Sequence, residues 1–147
     1  MSRARAGWSV TLCGVALSVC SWLPWLTTSA DGGGRASAIG GTVGSIVVPP
    51  RFGAGQLIVL LSSVLIVLGA LVGRCVAPRL AAGAAVVVSA LVGILIWWYF
   101  SANVGGPVVA GYGLYLSAVS VVAALGCSVW AFGAASLEAE PRPVPRR

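Results

Sequence analysis

Four long apolar stretches without a charged residue occupy most of this chain. They cover about residues 7–26, 56–73, 80–100 and 111–135. A helix needs roughly 20 predominantly apolar residues to cross the hydrocarbon core of a bilayer, and each stretch is close to that length. The pattern therefore predicts four membrane-spanning helices in a single integral membrane domain, residues 1–147, with no room for a second globular domain.

The connections between these stretches predict how the helices are arranged. The turn at 74–79 is so short that the second and third helices must form an antiparallel hairpin, and Pro78 suits a helix start because its missing N–H costs little there. The loop at 101–110 is short and neutral, whereas the loop at 27–55 is longer. Its β-branched stretch, 42–48, is compatible with a small β-hairpin. The expected fold is thus all-α: a four-helix transmembrane bundle with a short extracytoplasmic loop.

The arginines predict the orientation, because cytoplasmic flanks of membrane spans carry an excess of basic residues. If both termini are cytoplasmic, the outer loop carries Arg35 and Arg51 only. The remaining seven arginines then lie inside: Arg3, Arg5, Arg74, Arg79, Arg142, Arg146 and Arg147. The Pro-rich tail, 138–147, is expected to be disordered in the cytoplasm.

Composition supports a membrane protein of a bacterial inner (plasma) membrane. The chain is 59% hydrophobic and 8% charged, far outside the range of soluble domains. All nine basic residues are arginine, and Ala, Gly and Val are abundant, as is typical of a GC-rich genome.

The first stretch has an alternative interpretation as a cleaved signal peptide. Arg3 and Arg5 precede an apolar run, and residues 28–30 resemble a small-residue cleavage site. Against this, the run continues to Trp22 and Trp25, which is typical of an interfacial anchor. We expect the N-terminus to be retained.

Side chains that usually perform chemistry are scarce. Histidine is missing, and the acidic residues are Asp31, Glu138 and Glu140. We therefore expect no enzymatic activity, metal or cofactor, because neither metal ligands nor a general base can converge. The spans also lack an ionisable group of the kind that proton-coupled transport requires. The four cysteines are expected to be small packing residues.

Two sets of residues remain as candidates for function. Aromatic residues at the predicted outer helix ends form either an interfacial belt or a recognition surface: Trp22, Trp25, Trp97, Trp98, Tyr99, Tyr112 and Tyr115. Small residues spaced by four pack helices either within one chain or against a partner: Gly69, Gly73, Ser120, Ala124 and Ser128.

Two short motifs carry a resemblance to a family. The first span ends in Leu-Pro-Trp-Leu-Thr at 23–27, and the last begins with Gly-Tyr-Gly-Leu-Tyr at 111–115. With the Gly-rich outer loop, this order resembles small four-span actinobacterial membrane proteins, among them the tryptophan-associated transmembrane proteins. The chain departs from these by lacking their basic C-terminal extension and by its aromatic run at 97–100. The resemblance implies location and topology, and it transfers no functional residue.

By elimination, we expect a non-enzymatic accessory or scaffolding subunit of a cell-envelope complex. Its partners would be the lipid bilayer and either another membrane protein or a second copy, with no nucleic acid. The alternative is a small oligomeric transporter or channel for an apolar or lipid-like substrate.

Overall fold

The computed structural model describes residues 3–29, 32–44 and 53–137. Within these ranges the chain forms four helices: α1 (Arg3–Cys20), α2 (Gly53–Gly73), α3 (Pro78–Asn103) and α4 (Tyr112–Leu137). The same ranges contain four strands: β1 (Pro24–Thr28), β2 (Gly34–Ser37), β3 (Thr42–Gly44) and β4 (Val108–Ala110). The mostly helical fold and the bundle of helices agree with the prediction, and the strands form more than the hairpin anticipated. The predicted disordered tail, 138–147, lies outside the described residues.

Three of the helices, α2, α3 and α4, are long and apolar enough to cross a membrane. The apolar part of α1, Ala4–Cys20, is shorter. The first stretch was expected to remain helical to residue 26, but the helix ends at Cys20. The amides of Trp22 and Leu23 bond to carbonyls only three residues back, which tightens the last turn. Pro24 has no N–H with which to continue the helix, and β1 begins there.

The helices pack in a ring, in which α1 and α3 each contact both α2 and α4. Neighbouring helices run antiparallel. The start of α1 lies against the end of α2, since a Cβ added to Gly7 would overlap the backbone of Gly73. The end of α1 lies against the start of α4, since the Cys20 thiol is beside the hydroxyls of Ser117 and Ser120. The bundle therefore has two distinct ends, and the strands lie at only one of them within the described residues.

Glycine brings α1 and α2 into backbone contact. A Cβ on Gly69 would lie 2.6 Å from the amide nitrogen of Thr11, and one on Gly14 would lie 3.2 Å from that of Ile66. The Thr11 hydroxyl also lies between the helices, 3.2 Å from the Gly7 carbonyl oxygen and 3.4 Å from that of Ile66. The Gly-x-x-x-Gly pair at 69 and 73 thus packs within the chain in this structure, one of its two expected roles.

Serine side chains in the core satisfy their own hydrogen bonds. The hydroxyls of Ser62, Ser89 and Ser117 are buried, and each donates to the carbonyl four residues earlier, at 2.7, 2.7 and 2.8 Å. A buried hydroxyl without a partner is costly, particularly away from water, and these bonds remove that cost. Ser128 is the exception among the described residues, because its buried hydroxyl has no partner.

The strands form one antiparallel sheet in the order β3-β2-β1-β4. The first three come from the loop after α1, whereas β4 comes from the loop between α3 and α4. Leu26 pairs with Ala36 of β2 on one side and with Ala110 of β4 on the other. Of the β-branched stretch at 42–48, β3 includes the first three residues, and 45–48 lie outside the described residues. The sheet therefore joins both connections at one end of the bundle, which we call the sheet end.

The hairpin between α2 and α3 closes the opposite end. Cys75 and Ala77 adopt left-handed backbone conformations, with φ of 59° and 42°. Pro78 is the first residue of α3, where its missing N–H would have had no helical partner.

Replacing Gly69 by valine should destabilise the fold, because the new side chain would meet the backbone of α1. Overpacking of this kind typically costs about 1–3 kcal/mol. Gly133 of α4 is the matched control, since no described atom lies within 4 Å of a Cβ built there. We expect Gly69→Val to lower the thermal unfolding midpoint in detergent clearly more than Gly133→Val. Equal shifts would contradict the close contact between α1 and α2.

Candidate functional site at the sheet end

Trp25 anchors the sheet to the bundle. Its side chain is 0% exposed, and its indole N–H donates to the carbonyl of Cys20 at 2.9 Å, where α1 ends. The ring meets that of Tyr99 edge to face, with centroids 5.3 Å apart and planes at 85°. This geometry is favourable for aromatic pairs, and the hydrogen bond satisfies the buried N–H. Trp25 and Tyr99 were grouped with the candidate recognition residues, but the structure places both in the core.

Two glycines at the start of α4 let β1 lie directly on that helix. The amide of Gly111 donates to the carbonyl of Trp25 at 2.7 Å, and a Cβ at Gly111 would overlap the carbonyl of Pro24. A Cβ at Gly113 would lie 2.9 Å from the Trp25 ring. The two motifs at 23–27 and 111–115 therefore meet in space. The glycines of the second motif are required because β1 approaches the start of α4 so closely.

A third glycine joins the sheet end to α2. A Cβ at Gly55 would overlap the carbonyl of Ala38, which follows β2. Ala36 of β2 and Leu26 of β1 are buried in the same hydrophobic cluster as Ile58 of α2. The sheet thus packs on several helices at once and is continuous with the core of the bundle.

The other candidate aromatic residues are exposed: Trp22, Trp97, Trp98, Tyr112 and Tyr115. Trp22 follows α1, the Trp97–Trp98 pair belongs to the last turns of α3, and the tyrosines belong to the first turns of α4. They lie on three separate segments that converge on the sheet end. Their arrangement fits a girdle at the level of a membrane interface.

The sheet also has an open hollow of about 610 Å³, lined by Thr27, Thr28, Val43, Arg35 and the glycines 32–34 and 44. The Arg35 side chain is exposed there. On the side of β1 that faces β4, the Thr28 hydroxyl donates to the Pro107 carbonyl at 3.0 Å, which ties β1 to the loop before β4. The sheet end therefore presents both a polar surface and exposed aromatic rings. Such mixed surfaces are suited to recognition.

The small residues of α4 lie along its inner face. Ala124 and Ser128 are buried, and Ser120 is half-buried beside Cys20 of α1. Cys13 and Cys127 likewise lie side by side across the interface between α1 and α4. In this structure the row at 120, 124 and 128 therefore contributes to packing within the chain.

No reactive constellation is assembled within the described residues. The four cysteines are free thiols, and the described part of the chain contains no group of three or more His, Cys, Asp or Glu residues that could hold a metal ion. The features that remain are surfaces: the sheet, the aromatic girdle and the apolar sides of the helices.

Comparison with protein-family models, with curated proteins and with solved structures finds no match for this chain. The resemblance to the tryptophan-associated transmembrane proteins therefore stays a prediction.

Replacing Trp25 by alanine should loosen the sheet end, because it removes a fully buried ring and the bond to Cys20. Loss of a large buried aromatic side chain typically costs about 3–5 kcal/mol. Trp22→Ala is the matched control, since Trp22 is 76% exposed only three residues away. We expect faster amide hydrogen exchange in β1 and β2 for Trp25→Ala only. Unchanged protection in that variant would contradict the anchoring role.

Proposed function

We propose that this protein crosses the membrane four times, with both termini in the cytoplasm and the sheet end outside. Its function would be that of a non-enzymatic accessory or scaffolding subunit of a cell-envelope complex. The observation that supports this most is the folded sheet, which is built from both loops at one end of an apolar bundle and fastened to it by Trp25. A sheet attached so firmly can hold a partner in a defined orientation.

The surface of the helices supports the membrane placement. Large apolar side chains are exposed on every helix, among them Leu12, Leu60, Leu80 and Val122. Soluble monomers rarely expose contiguous apolar patches of this extent, because water disfavours them. Lipid would cover these side chains without cost.

The proposal of four membrane spans requires that α1 also cross the bilayer, although its apolar part is short. Ala4–Cys20 would be about 26 Å long at 1.5 Å per residue, against a hydrocarbon core of about 30 Å. A bilayer accommodates a deficit of a few ångströms by local thinning. Since α1 packs between α2 and α4 at both of its ends, it would share the layer that those longer helices occupy.

The charges support the orientation. Arg5, Arg74 and Arg79 belong to the end of the bundle away from the sheet, whereas Arg35 belongs to β2. Exposed aromatic rings are more numerous at the sheet end, but Trp8, Trp130 and Phe132 are exposed nearer the other end, as expected for belts at both interfaces. The arginines therefore carry the orientation, and they favour the sheet end as the outer one because basic residues concentrate on cytoplasmic flanks.

The tightly packed core favours a scaffolding role over a transport pathway through a single copy of the protein. Leu17, Ile58, Leu65 and Val92 are fully buried along the bundle, and α1 and α2 are in backbone contact. The second candidate, an oligomeric transporter or channel for an apolar or lipid-like substrate, draws on the exposed aromatic girdle instead. It would need a pathway formed between copies.

Cysteine labelling tests the orientation. In a variant that retains only the exposed Cys75, with the other three cysteines replaced by serine, an impermeant maleimide should react only after the cells are opened. In a second variant, all four native cysteines are replaced by serine and Val109→Cys places a single thiol on the exposed strand β4. Intact cells should then be labelled. Labelling of position 109 only from the cytosol would overturn the arrangement.

Photocrosslinking in native membranes tests the scaffolding role. A photoreactive amino acid replaces Val43 of β3 or Val109 of β4, both exposed on the sheet, and Val129 of α4 is the exposed control position. We expect a discrete protein adduct from the sheet positions and none of the same mass from position 129. Recovery of only uncrosslinked monomer at all three positions would refute the proposal.

A further inference from the structure

An apolar groove runs between α3 and α4 on the outside of the bundle. It consists of two adjoining hollows, of about 370 and 410 Å³, that share Gly93, Trp97, Val121 and Val122. The upper hollow reaches Phe100 and Tyr115 near the sheet end, and the lower one reaches Ser89 and Leu125. This groove is separate from the sheet, and its lining includes the core residues Ile96, Leu114 and Val121.

The groove owes its depth to Gly93. No described atom lies within 4 Å of a Cβ built on this residue, so no close contact requires glycine there. In this respect Gly93 differs from Gly69 and Gly113, where a side chain would meet neighbouring atoms. Glycine weakens a helix interior relative to alanine, and the space that it leaves on the groove floor is the feature gained in return.

The shape of the groove favours a single hydrocarbon chain as occupant. From Ser89 to Phe100 it extends about 16 Å along α3, at 1.5 Å per residue. Trp97 and Val122, which are 71% and 70% exposed, project on either side of it. A partner helix, about 10–12 Å in diameter, would rest on these side chains and leave the floor unfilled, whereas an extended chain of methylenes fits between them.

The chemistry of the lining agrees with this occupant. The Ser89 hydroxyl is already bonded to the Ala85 carbonyl, so the part of the groove below Trp97 offers no free hydrogen-bonding side chain among the described residues. At the upper end, Trp97 stacks on Phe100 with centroids 6.2 Å apart, and Tyr115 is exposed beside them. An apolar tail would lie along the groove, with its polar head at the level of the girdle.

We propose that the groove between α3 and α4 is a binding site for one hydrocarbon chain of a membrane lipid, inserted from the sheet end down to the level of Ser89. The proposal rests on the membrane placement proposed above, and it does not depend on the scaffolding role. It assigns Gly93 as the residue that determines whether the hydrocarbon chain can enter the groove.

Photolabelling with a lipid tests this site. The full chain is reconstituted into phosphatidylglycerol vesicles that contain a phospholipid with a diazirine in its acyl chain, and labelled peptides are located by mass spectrometry. We expect adducts to concentrate on residues 89–100 and 114–125. Gly93→Leu should fill the floor and reduce these adducts at least about fivefold, which corresponds to about 1 kcal/mol of lost affinity.

Gly126→Leu is the matched control, because Gly126 is likewise a glycine of a long apolar helix with no described atom within 4 Å of its Cβ. It should leave the groove adducts unchanged. Ala118→Phe narrows the groove from the side of α4 and should likewise reduce the groove adducts. This variant tests the site if Gly93→Leu fails to fold.

Two results would overturn the proposal. Adducts of equal yield on residues 57–68 of α2, which expose apolar side chains outside the groove, and on residues 89–100 would mean a non-specific lipid shell. Groove adducts that persist in both filling variants would mean that the hydrocarbon chain lies elsewhere. Absence of adducts on every helix would instead contradict the membrane placement itself.

Discussion

Close approach between backbones is the interaction on which this fold depends. Helices surrounded by lipid gain nothing from the hydrophobic effect when they associate, so packing contacts must hold them together. Gly7 and Gly69 allow this approach between α1 and α2, and Gly111 and Gly113 allow it between α4 and β1. The same device therefore assembles the bundle and attaches the sheet. This continuity makes the sheet part of the same packed unit as the helices.

The second constraint on this fold is that buried polar groups must find hydrogen-bond partners. Groups buried in an apolar surrounding need partners, and the inner serines find them on their own helices. The Trp25 indole uses the end of α1 in the same way. Where α1 ends and β1 begins, the carbonyl of Cys20 thus accepts from both the Leu23 amide and the Trp25 indole.

Much of the helical part of this fold can be predicted from periodicity and length, because uncharged runs of this kind allow few alternatives. The helix starts at Pro78 and Gly53 lie close to the expected boundaries. The sheet is harder to predict, since β4 has only three residues and its partner β1 lies about 80 positions away along the chain. The helical end of the first stretch was misplaced because Pro24, Trp25 and Leu26 are apolar in a strand as well as in a helix.

The aromatic residues show why the candidate site could be predicted only in part. Tryptophan at a helix end is equally typical of a membrane interface and of a buried anchor, and local sequence does not separate the two. Trp22 and Trp25 differ by three positions, yet one is exposed and the other fully buried. The distinguishing signal was the pair of glycines at 111 and 113, which indicates that another segment must approach α4 there. Gly93, which no close contact requires, is informative only together with the groove that it lines, because Gly126 and Gly133 are equally free of close contacts and line neither hollow of that groove.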